Sequence, residues 1–220
     1  MAYDFDKIAR DYDRMNHLMA LGLDRWWRRR AVRELSTFNF QLSTLDVACG
    51  TGDMVVELLK QGCTVTGVDL SEEMLAIARR KTASANFQLG DAEALPFADG
   101  EFDAVTCAFG VRNFVHLEKG LEEMLRVLKP GGRMVILELA TPDSALIRPF
   151  YNLYTRHIIP WLGQHIAGSR EAYTYLPNSI ERFPKGKAFI DRIPHSSLLT
   201  PHSSERKLTF GVCRMYTVVK

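Results

Sequence analysis

Acidic side chains stand at the ends of three predicted strands, and a glycine-rich loop follows the first of these strands. The residues concerned are Asp46, Gly50, Thr51, Gly52, Asp69 and Asp91. Glycines let a ligand approach the backbone closely, and carboxylates accept hydrogen bonds from hydroxyl groups. Ligands of open α/β sheets bind outside the carboxyl ends of the strands, so the shared position of these residues predicts a small-molecule site. Any one acid taken alone is explained equally well as a helix cap or a loop carboxylate.

The glycine-rich loop lacks the pattern of a dinucleotide site. The dinucleotide fingerprint has a third small residue three positions after Gly52, where this chain has Val55. The following helix opens with Asp53, whose carboxylate would repel a pyrophosphate at that position. Asp69 follows the loop at about the 20-residue offset that suits a pair of ribose hydroxyls. The sequence therefore predicts a cofactor that has a ribose and no diphosphate.

A second group of polar residues interrupts an apolar segment. Thr106 to Phe114 reads TCAFGVRNF, which begins as a buried strand and ends in Arg112 and Asn113. A hydrophobic core contains neither residue type unless its polar atoms are paired. These two residues are therefore candidates for binding or catalysis. In the alternative interpretation, Arg112 pairs with an acid such as Asp13 and merely holds the N-terminal helix over the sheet.

The elements that must position these residues alternate along the chain. Strand patterns cover residues 43–48, 63–70, 86–90, 102–109 and 133–139, and helical patterns cover 6–35, 53–62, 71–81 and about 117–128. Ser71 is placed as an N-cap. The alternation predicts a parallel sheet with helices on both faces. It stops after Pro142, where an aromatic-rich segment over 145–166 precedes a last strand pattern over 207–219.

Composition limits the class of protein. A chain of 220 residues with 46% hydrophobic and 25% charged residues is expected to form one ordinary globular domain. The net charge of +2 is too small to indicate a nucleic-acid partner. The four cysteines and six histidines form no metal-ligand pattern, so we expect no metal site. The acidic N-terminus argues against a secretory signal, and no apolar run has the roughly 18 residues of a membrane span, so we expect a cytoplasmic protein.

The basic segment RWWRRR, from Arg25 to Arg30, permits two interpretations. It could bind nucleic acid or anionic lipid, as basic aromatic segments do. On an amphipathic helix it is more often a solvated face whose tryptophans turn inward. We favour the second interpretation.

The ordered motifs of the central region resemble a known enzyme class. LDVACGTGD, VDLS, GDAEALPF, FDAVTCAF and LKPGG, from Leu45 to Leu139, are similar to those of class I S-adenosylmethionine-dependent methyltransferases. The resemblance implies a Rossmann-like α/β fold with a mostly parallel seven-stranded sheet, helices on both faces and an antiparallel last strand. One departure is Ala48, where many members have glycine.

The same resemblance implies a set of cofactor-binding residues. The Gly50-Thr51-Gly52 loop would face the methionine part of S-adenosylmethionine, Asp69 would bind the ribose hydroxyls, and Asp91 with Ala92 would lie at the adenine. The full predicted set is Asp46, Gly50, Thr51, Gly52, Asp69, Leu70, Asp91, Ala92 and Ala108. Ala108 replaces a serine that some members place near the cofactor.

Four flanking motifs narrow the resemblance to one family. FDKIARDYDRMN, AFGVRNF, YTYLPNSIERFP and LTFGVCRMYTVVK are similar to segments of the ubiquinone/menaquinone biosynthesis C-methyltransferases, and the similarity covers nearly the whole chain. IDRIPHSSLL lacks the Ala-Gly-Phe that this family usually has there. The resemblance implies methyl transfer to a ring carbon of demethylmenaquinol. The alternatives are a 2-polyprenyl-6-methoxy-1,4-benzoquinol or another small molecule.

The implied reaction gives roles to the polar residues. A ring carbon becomes nucleophilic when a ring hydroxyl ionises, so Arg112 would stabilise the developing oxyanion and Asn113 would orient a water or the second hydroxyl. Arginine is a poor proton acceptor, and Tyr12, Asp13 and His116 are the candidates for a base. A nucleic-acid substrate is disfavoured, because FGVRN stands where such enzymes carry an Asn-Pro-Pro-aromatic or Asp-Pro-Pro-aromatic sequence.

The expected organisation is a single methyltransferase domain in four segments. Residues 1–42 form an N-terminal helical cap, 43–142 the cofactor-binding core, 143–188 a lid, and 189–220 a C-terminal helix and strands. The aromatic lid would hold a polyprenyl tail, with Phe150 and Trp161 as contacts. The expected partners are a polyprenyl quinol and, through peripheral contact, a membrane surface, and the chain is compatible with an oligomer.

Overall fold

One seven-stranded sheet organises the structure, a computed structural model that describes residues 12–35, 41–166, 170–194 and 202–220. Its strands are β1 Ser43–Val47, β2 Thr64–Asp69, β3 Asn86–Leu89, β4 Phe102–Ala108, β5 Leu128–Leu139, β6 His202–Leu208 and β7 Cys213–Val219. The strand order is β3-β2-β1-β4-β5-β7-β6. β1 to β5 run parallel, and β7 is antiparallel to both of its neighbours. The predicted fold class is confirmed.

Helices cover both faces of this sheet. They are α1 Tyr12–Met19, α2 Leu23–Leu35, α3 Asp53–Leu59, α4 Glu72–Lys81, α5 Leu117–Arg126, α6 Arg148–Leu153, α7 Ile159–Ile166, α8 Arg170–Arg182 and α9 Lys187–Ile190. One buried cluster joins Leu45 and Val105 to Leu121 of α5 and Phe189 of α9. Another packs Trp27 and Leu35 of α2 and Leu58 of α3 against Ala104 and Val135 on the other face. Burial on both faces explains why the central strands are continuously apolar.

The helix boundaries follow from local chemistry. The Ser71 hydroxyl accepts a hydrogen bond from the Met74 N–H at 3.1 Å, which confirms the predicted N-cap. The helix expected over 6–35 is divided within its described part, because Leu21 and Gly22 take positive φ values of 50° and 74°. The residues before Tyr12 lie outside the described residues. α5 ends at Arg126 instead of residue 128, since β5 already pairs with Phe102 at Leu128.

α6 and α7 are joined by a π-helical turn over Tyr154–Ile158 into one long helix, residues 148–166. Pro160 lies two positions after this turn, and the N–H that proline lacks explains why the regular hydrogen-bond ladder shifts there. α8 continues through Pro177. Among the described residues, none of the helices combines the length and hydropathy needed to cross a membrane.

Candidate active site

A first cavity of about 490 Å³ opens at the carboxyl ends of β1, β2 and β4. Ligand sites in proteins usually occupy roughly 300–1,000 Å³, so this cavity has room for a nucleoside-sized cofactor. Of the residues predicted for the site, those that line it are Tyr12, Gly50, Asp69, Leu70, Asp91, Ala92, Ala108 and Asn113. Sequence reasoning missed Met74, Phe109 and Phe114, which add apolar walls.

Asp69 is fixed in the wall of this cavity by the backbone. Its Oδ2 accepts the N–H of Gly50 at 2.8 Å, and its Oδ1 accepts the N–H of Ser71 at 2.9 Å. Gly50 has a φ of +54°, and a Cβ atom built there would meet no other atom within 4 Å. The loop therefore leaves open space beside the carboxylate, as close approach of a ligand requires.

Close packing shapes the opposite wall of the first cavity. A Cβ atom at Gly110 would come within 2.7 Å of the Ala48 Cβ and 2.8 Å of the Cys107 Sγ. Ala48 and Gly110 therefore fit together because both are small. Further along the wall, the Glu93 carboxylate holds the ring and the backbone N–H of His116 at 2.7 and 2.8 Å. The candidate base His116 thus also lines the first cavity.

Three residues predicted to bind the cofactor lie outside the cavity wall. Asp46 is buried and accepts a hydrogen bond from the Thr106 hydroxyl at 2.6 Å, and burial raises its pKa to about 7. The Thr51 hydroxyl donates to the Asp13 carboxylate. A Cβ atom at Gly52 would lie 3.1 Å from the Ala78 Cβ, so this glycine packs against α4. All three residues are placed to support the loop.

Ion pairs tie α1 to the cofactor loop. Lys81 of α4 reaches Asp13 at 2.7 Å and Asp53 at 2.6 Å. Burial raises the pKa of Asp53, but the charges of Arg28 and Lys81 outweigh it, so the net shift is downward. Asp13 therefore serves as an anchor between the helical cap and the loop, away from both cavities.

A second cavity of about 230 Å³ lies between the N-terminal helices and the long helix. Its walls are mostly apolar or aromatic, and its polar lining residues include Asp24, Arg28 and Arg112. Tyr151, Tyr154, Thr155 and Ile159 face it from the long helix. Tyr12 and Phe109 line both cavities, so the two spaces meet at these side chains.

Phe150 and Trp161 are directed away from the second cavity. Phe150 is 75% exposed and Trp161 is 59% exposed, and neither is among the residues that line the cavity. Their expected role as inner contacts of the lid therefore passes to Tyr154 and Ile159 of the same helix, which line the cavity. The π-helical turn over Tyr154–Ile158 shifts the helical phase of the residues after it, Trp161 among them, which a pattern of apolar residues does not reveal.

Arg112 pairs with Glu138, whereas the expected structural partner was Asp13. Its Nη1 donates to the Glu138 Oε1 at 2.7 Å and also to the Phe109 carbonyl. The Arg112 backbone N–H donates to the Glu138 Oε2 at 3.2 Å. The sequence signal for Glu138 was an acid within the apolar strand RMVILEL. Arg112 is thus attached to the sheet and forms part of the wall of the second cavity.

The tyrosines of the second cavity are hydrogen-bond donors at neutral pH. Burial raises the pKa of Tyr12, although Arg112 and a hydrogen bond with Asn16 oppose the shift. Burial also raises the pKa of Tyr151 to about 12. Neither hydroxyl is therefore suited to accept a proton, which counts against Tyr12 as the base.

The basic segment of α2 differs from the expected solvated face. Trp27 is buried and its Nε1–H donates to the Thr209 hydroxyl at 2.9 Å, whereas Trp26 is 44% exposed. Arg28 turns inward, where its guanidinium lies 5.2 Å from the centre of the Phe109 ring. Adjacent residues of a helix point about 100° apart, so the two tryptophans cannot share one face.

Comparison with known proteins now defines the family. A family model described as the ubiE/COQ5 methyltransferase family matches residues 2–220. The chain belongs to this family. A demethylmenaquinone methyltransferase of Bacteroides fragilis is 43% identical over 98% of this chain and 90% of its own length. A protein of Geobacter sulfurreducens, named ubiquinone/menaquinone biosynthesis C-methyltransferase UbiE, is 41% identical over 97% of this chain and 85% of its own.

Solved structures agree on the fold of this family member. A SAM-dependent methyltransferase of Thermotoga maritima superposes with a TM-score of 0.67 at 19% identity, covering 98% of each chain. Another, from Aquifex aeolicus, has a TM-score of 0.58 at 18% identity and covers 94% of this chain and 97% of its own. The predictions of a methyltransferase and of S-adenosylmethionine as its cofactor are confirmed.

The first cavity fits this cofactor. The backbone-held carboxylate of Asp69 suits the ribose hydroxyls, the open space beside Gly50 suits the methionine part, and the exposed Leu70 offers an apolar surface for the adenine. When bound, S-adenosylmethionine supplies an activated methyl group. The chain's own contribution here is to orient the cofactor.

Proposed function

We propose that the enzyme transfers the methyl group to a ring carbon of demethylmenaquinol and gives menaquinol. The names of several relatives support this substrate, including that of Bacteroides fragilis. The relative from Geobacter sulfurreducens carries a name that also covers ubiquinone synthesis, which keeps a 2-polyprenyl-6-methoxy-1,4-benzoquinol as the second candidate.

The meeting of the two cavities at Tyr12 and Phe109 is the observation that carries this proposal. An acceptor in the second cavity would present its ring near this junction and its tail along the apolar walls. The walls are mostly hydrophobic and aromatic, as an isoprenoid requires. A small hydrophilic acceptor would gain little from such a surface.

We assign Arg112 to stabilisation of the quinolate that forms when a ring hydroxyl loses its proton. Its charge is buried and its orientation is fixed by Glu138, so little reorganisation would accompany the reaction. Asn113 lies in the wall of the first cavity and would orient a water or the second hydroxyl. Tyr12 would donate a hydrogen bond at the junction, and Asp13 would hold α1 closed over the loop.

We retain the division into a cap (1–42), a core (43–142), a lid (143–188) and a C-terminal segment (189–220) as a functional proposal. The cap and the lid supply most of the wall of the second cavity, and the core supplies most of that of the first. Exchanging the lid with that of a relative should therefore remove the acceptor specificity and leave the cofactor site intact.

A membrane surface is the expected source of the acceptor. Phe150, Leu153, Ile158 and Trp161 form an exposed stripe on the outer face of the long helix. Residues 144–166 include Arg148 and Arg156 and have no Asp or Glu in the sequence, and Arg156 pairs with Glu181 of α8 at 3.2 Å, so Arg148 supplies the positive charge. An apolar stripe with positive charge suits the surface of an anionic bilayer. The stripe lies on the same helix that covers the second cavity.

Binding to lipid vesicles tests the membrane contact. Phe150→Ser combined with Trp161→Ser should reduce cosedimentation with vesicles of equal parts phosphatidylcholine and phosphatidylglycerol. Leu89→Ser is the matched control, because Leu89 is an exposed apolar residue on β3 at the other end of the sheet. Equal binding of the parent and all variants to the vesicles would contradict the membrane contact. Burial of the stripe in a dimer would also contradict it.

The substrate itself is tested by turnover and by genetics. Purified enzyme is supplied with S-adenosylmethionine and either demethylmenaquinol or the benzoquinol, and the methylated product is measured. Quinones extracted from a strain that lacks the protein should contain the unmethylated naphthoquinone. Accumulation of the benzoquinone precursor would assign the second candidate instead.

A further inference from the structure

We infer that Asp24 is the group that accepts the proton of the quinol hydroxyl and that His17 carries this proton toward solvent. The inference rests on the proposed function and deepens it by naming a base. Among the described residues that line the second cavity, Asp24 is the one carboxylate, and histidine and lysine are absent from that set. Tyr12 and Tyr151 donate hydrogen bonds, because burial raises the pKa of each hydroxyl. A base within this cavity therefore has one candidate.

Asp24 has the exposure and the partners of a functional carboxylate. It is 3% exposed, and its Oδ1 has no hydrogen-bond partner among the described residues. Its Oδ2 is occupied by the His17 Nδ1 at 2.7 Å and by the Arg28 Nη1 at 2.5 Å. A buried carboxylate oxygen without a partner is costly unless a ligand supplies one. A quinol hydroxyl in the cavity would supply that partner at Oδ1.

His17 and Asp53 continue the path from Asp24 to the surface. The His17 Nε2 lies 3.7 Å from the Asp53 Oδ2, and Asp53 pairs with Lys81 at 2.6 Å. The side chains of His17 and Lys81 are 23% and 26% exposed, so both reach water. An imidazole has two ring nitrogens, one of which can accept a proton while the other releases one, which suits a carrier between a buried acid and solvent.

The reaction requires such an exit because one proton leaves for every methyl group gained. The hydroxyl proton passes to Asp24, and the ring carbon forms its new bond to the methyl carbon as the bond from that carbon to sulfur breaks. The ring carbon then loses its hydrogen as a proton, and the oxygen regains one. The net product is a single proton, which the Asp24–His17 pair delivers to solvent.

The same three side chains could in principle hold a metal ion, since ligand atoms of His17, Asp24 and Asp53 lie within 4.8 Å of one another. Arg28 opposes this arrangement. Its guanidinium is 2.5 Å from Asp24 and 3.7 Å from Asp53, so a fixed positive charge already occupies the position between the carboxylates.

Charged and titratable groups from several elements line the second cavity or lie close to Asp24. They are Tyr12 and His17 of α1, Arg28 of α2, Asp53 of α3, Arg112 of the turn after β4, and Tyr151 and Tyr154 of the long helix. The substitutions must therefore distinguish loss of the proton acceptor from disruption of this charge network.

The test compares Asp24→Asn, His17→Gln and the matched control Asp143→Asn, which also removes a carboxylate from a buried arginine, Arg214. Turnover of a short-tailed demethylmenaquinol is measured across pH after the parent's own turnover is established. Asp24→Asn should lower turnover by about a hundredfold or more at neutral pH, and the loss should shrink as pH rises. KM for the quinol and affinity for S-adenosylmethionine should change by less than about threefold.

His17→Gln keeps a side chain that can hydrogen-bond to Asp24 but cannot carry the proton, so we expect a smaller loss of roughly tenfold. If Asp24→Asn fails to fold, the turnover of His17→Gln tests the proton path in its place. Added formate should partly restore the turnover of a further variant, Asp24→Ala, whereas chloride at equal ionic strength should not. Asp143→Asn should keep the parental rate.

Full activity in folded Asp24→Asn, or in His17→Gln, would overturn the inference while leaving the proposed substrate intact. An equal, pH-independent loss in all three variants would do the same. Stimulation of the parent by Zn²⁺ or Mg²⁺, with inhibition by a chelator, would replace the proton path by a metal site. A parent that methylates neither quinol would instead refute the proposed function.

Discussion

The two cavities differ in the parts of the fold that build them. The first is formed mainly by loops at the ends of β1, β2 and β4, where the sheet fixes each backbone. The second is formed mainly by α1, α2, the long helix and α8, which pack over the end of the sheet. In the proposed assignment, cofactor binding therefore depends on strand ends, and acceptor binding depends on added helices. Such a division lets one fold keep its methyl donor while its acceptor changes.

The two cavities also differ in how charge is handled. Asp69 in the first is held by backbone N–H groups, which are present in any chain with this loop conformation. Arg112 and Asp24 in the second are held by other side chains, Glu138, His17 and Arg28. Substitutions in the second cavity should therefore disturb partners as well as the residue replaced, whereas those in the first should act more locally.

The largest expected effect concerns Arg112 in the second cavity. Arg112→Ala should lower the methylation rate by on the order of a hundredfold or more and leave cofactor affinity nearly unchanged, because a contact with the developing oxyanion is lost. Arg112→Lys should restore the rate only partly, since it returns a charge without the planar guanidinium. Single-turnover kinetics and calorimetry with the cofactor measure the two quantities.

The pH dependence of turnover in Arg112→Ala distinguishes a catalytic role of Arg112 from a purely structural one. More quinol ionises by itself as pH rises, so the variant should recover at high pH and show a steeper profile than the parent. If Arg112 only holds Glu138 and the sheet in place, the variant should melt earlier and its rate loss should not depend on pH. That second result would remove the catalytic role.

The next largest effect concerns Asp69 in the first cavity. Asp69→Ala should weaken binding of S-adenosylmethionine by roughly 1 to 3 kcal/mol, since two ribose hydroxyls would lose their acceptor. Once the variant is saturated with cofactor, its turnover should approach that of the parent. Calorimetry gives the affinity, and an unchanged value would remove Asp69 from the cofactor site.

The contrast between the cavities explains what the sequence revealed. Gly50 and Asp69 were predictable because a loop conformation and a strand end are local features. Arg112 and Glu138 are 26 positions apart, and Asp13 and Lys81 are 68 apart, so these pairs depend on how distant segments meet. Asp24 is an acidic residue in the first turn of α2, a position that carries no functional signal in the sequence alone.

The outer segments show a second limit of sequence reasoning. The alternation of strands and helices predicted the sheet and its helical layers, because hydrophobic period reflects burial. It did not predict which face of the long helix points inward, since the π-helical turn changes the phase of the residues after it. Trp161 follows this turn and Phe150 precedes it, and both were assigned to the inner face only because they belong to the aromatic-rich segment.

A moderate effect is expected from the apolar wall of the second cavity. Ile159→Ser should lower turnover of a long-tailed quinol about tenfold more than that of a tailless analogue, because a buried apolar contact with the tail is lost. Trp161→Ser, on the exposed face of the same helix, is the control, and in detergent it should affect both substrates equally. Parallel losses for the two substrates in Ile159→Ser would make the long helix a purely structural cover.

The smallest effect concerns Asp46, which lies beneath the first cavity rather than in its wall. Asp46 ionises near pH 4 in an unfolded chain and near 7 in the folded one, because burial disfavours its charge. Between these values the folded protein holds a proton that the unfolded chain has released. The free energy of unfolding therefore falls as pH rises through this window and stays lower above it.

Asp46→Asn removes this titration while keeping an acceptor for the Thr106 hydroxyl. The cofactor-free variant and the parent should melt at similar temperatures near pH 5, where Asp46 is protonated. At pH 8 the variant should be more stable by on the order of 1 kcal/mol, because the parent then buries a charge. Melting curves at the two pH values measure the difference. Cofactor affinity should stay within about tenfold of the parent, and a larger loss would move Asp46 from the support of the loop into the cofactor site itself.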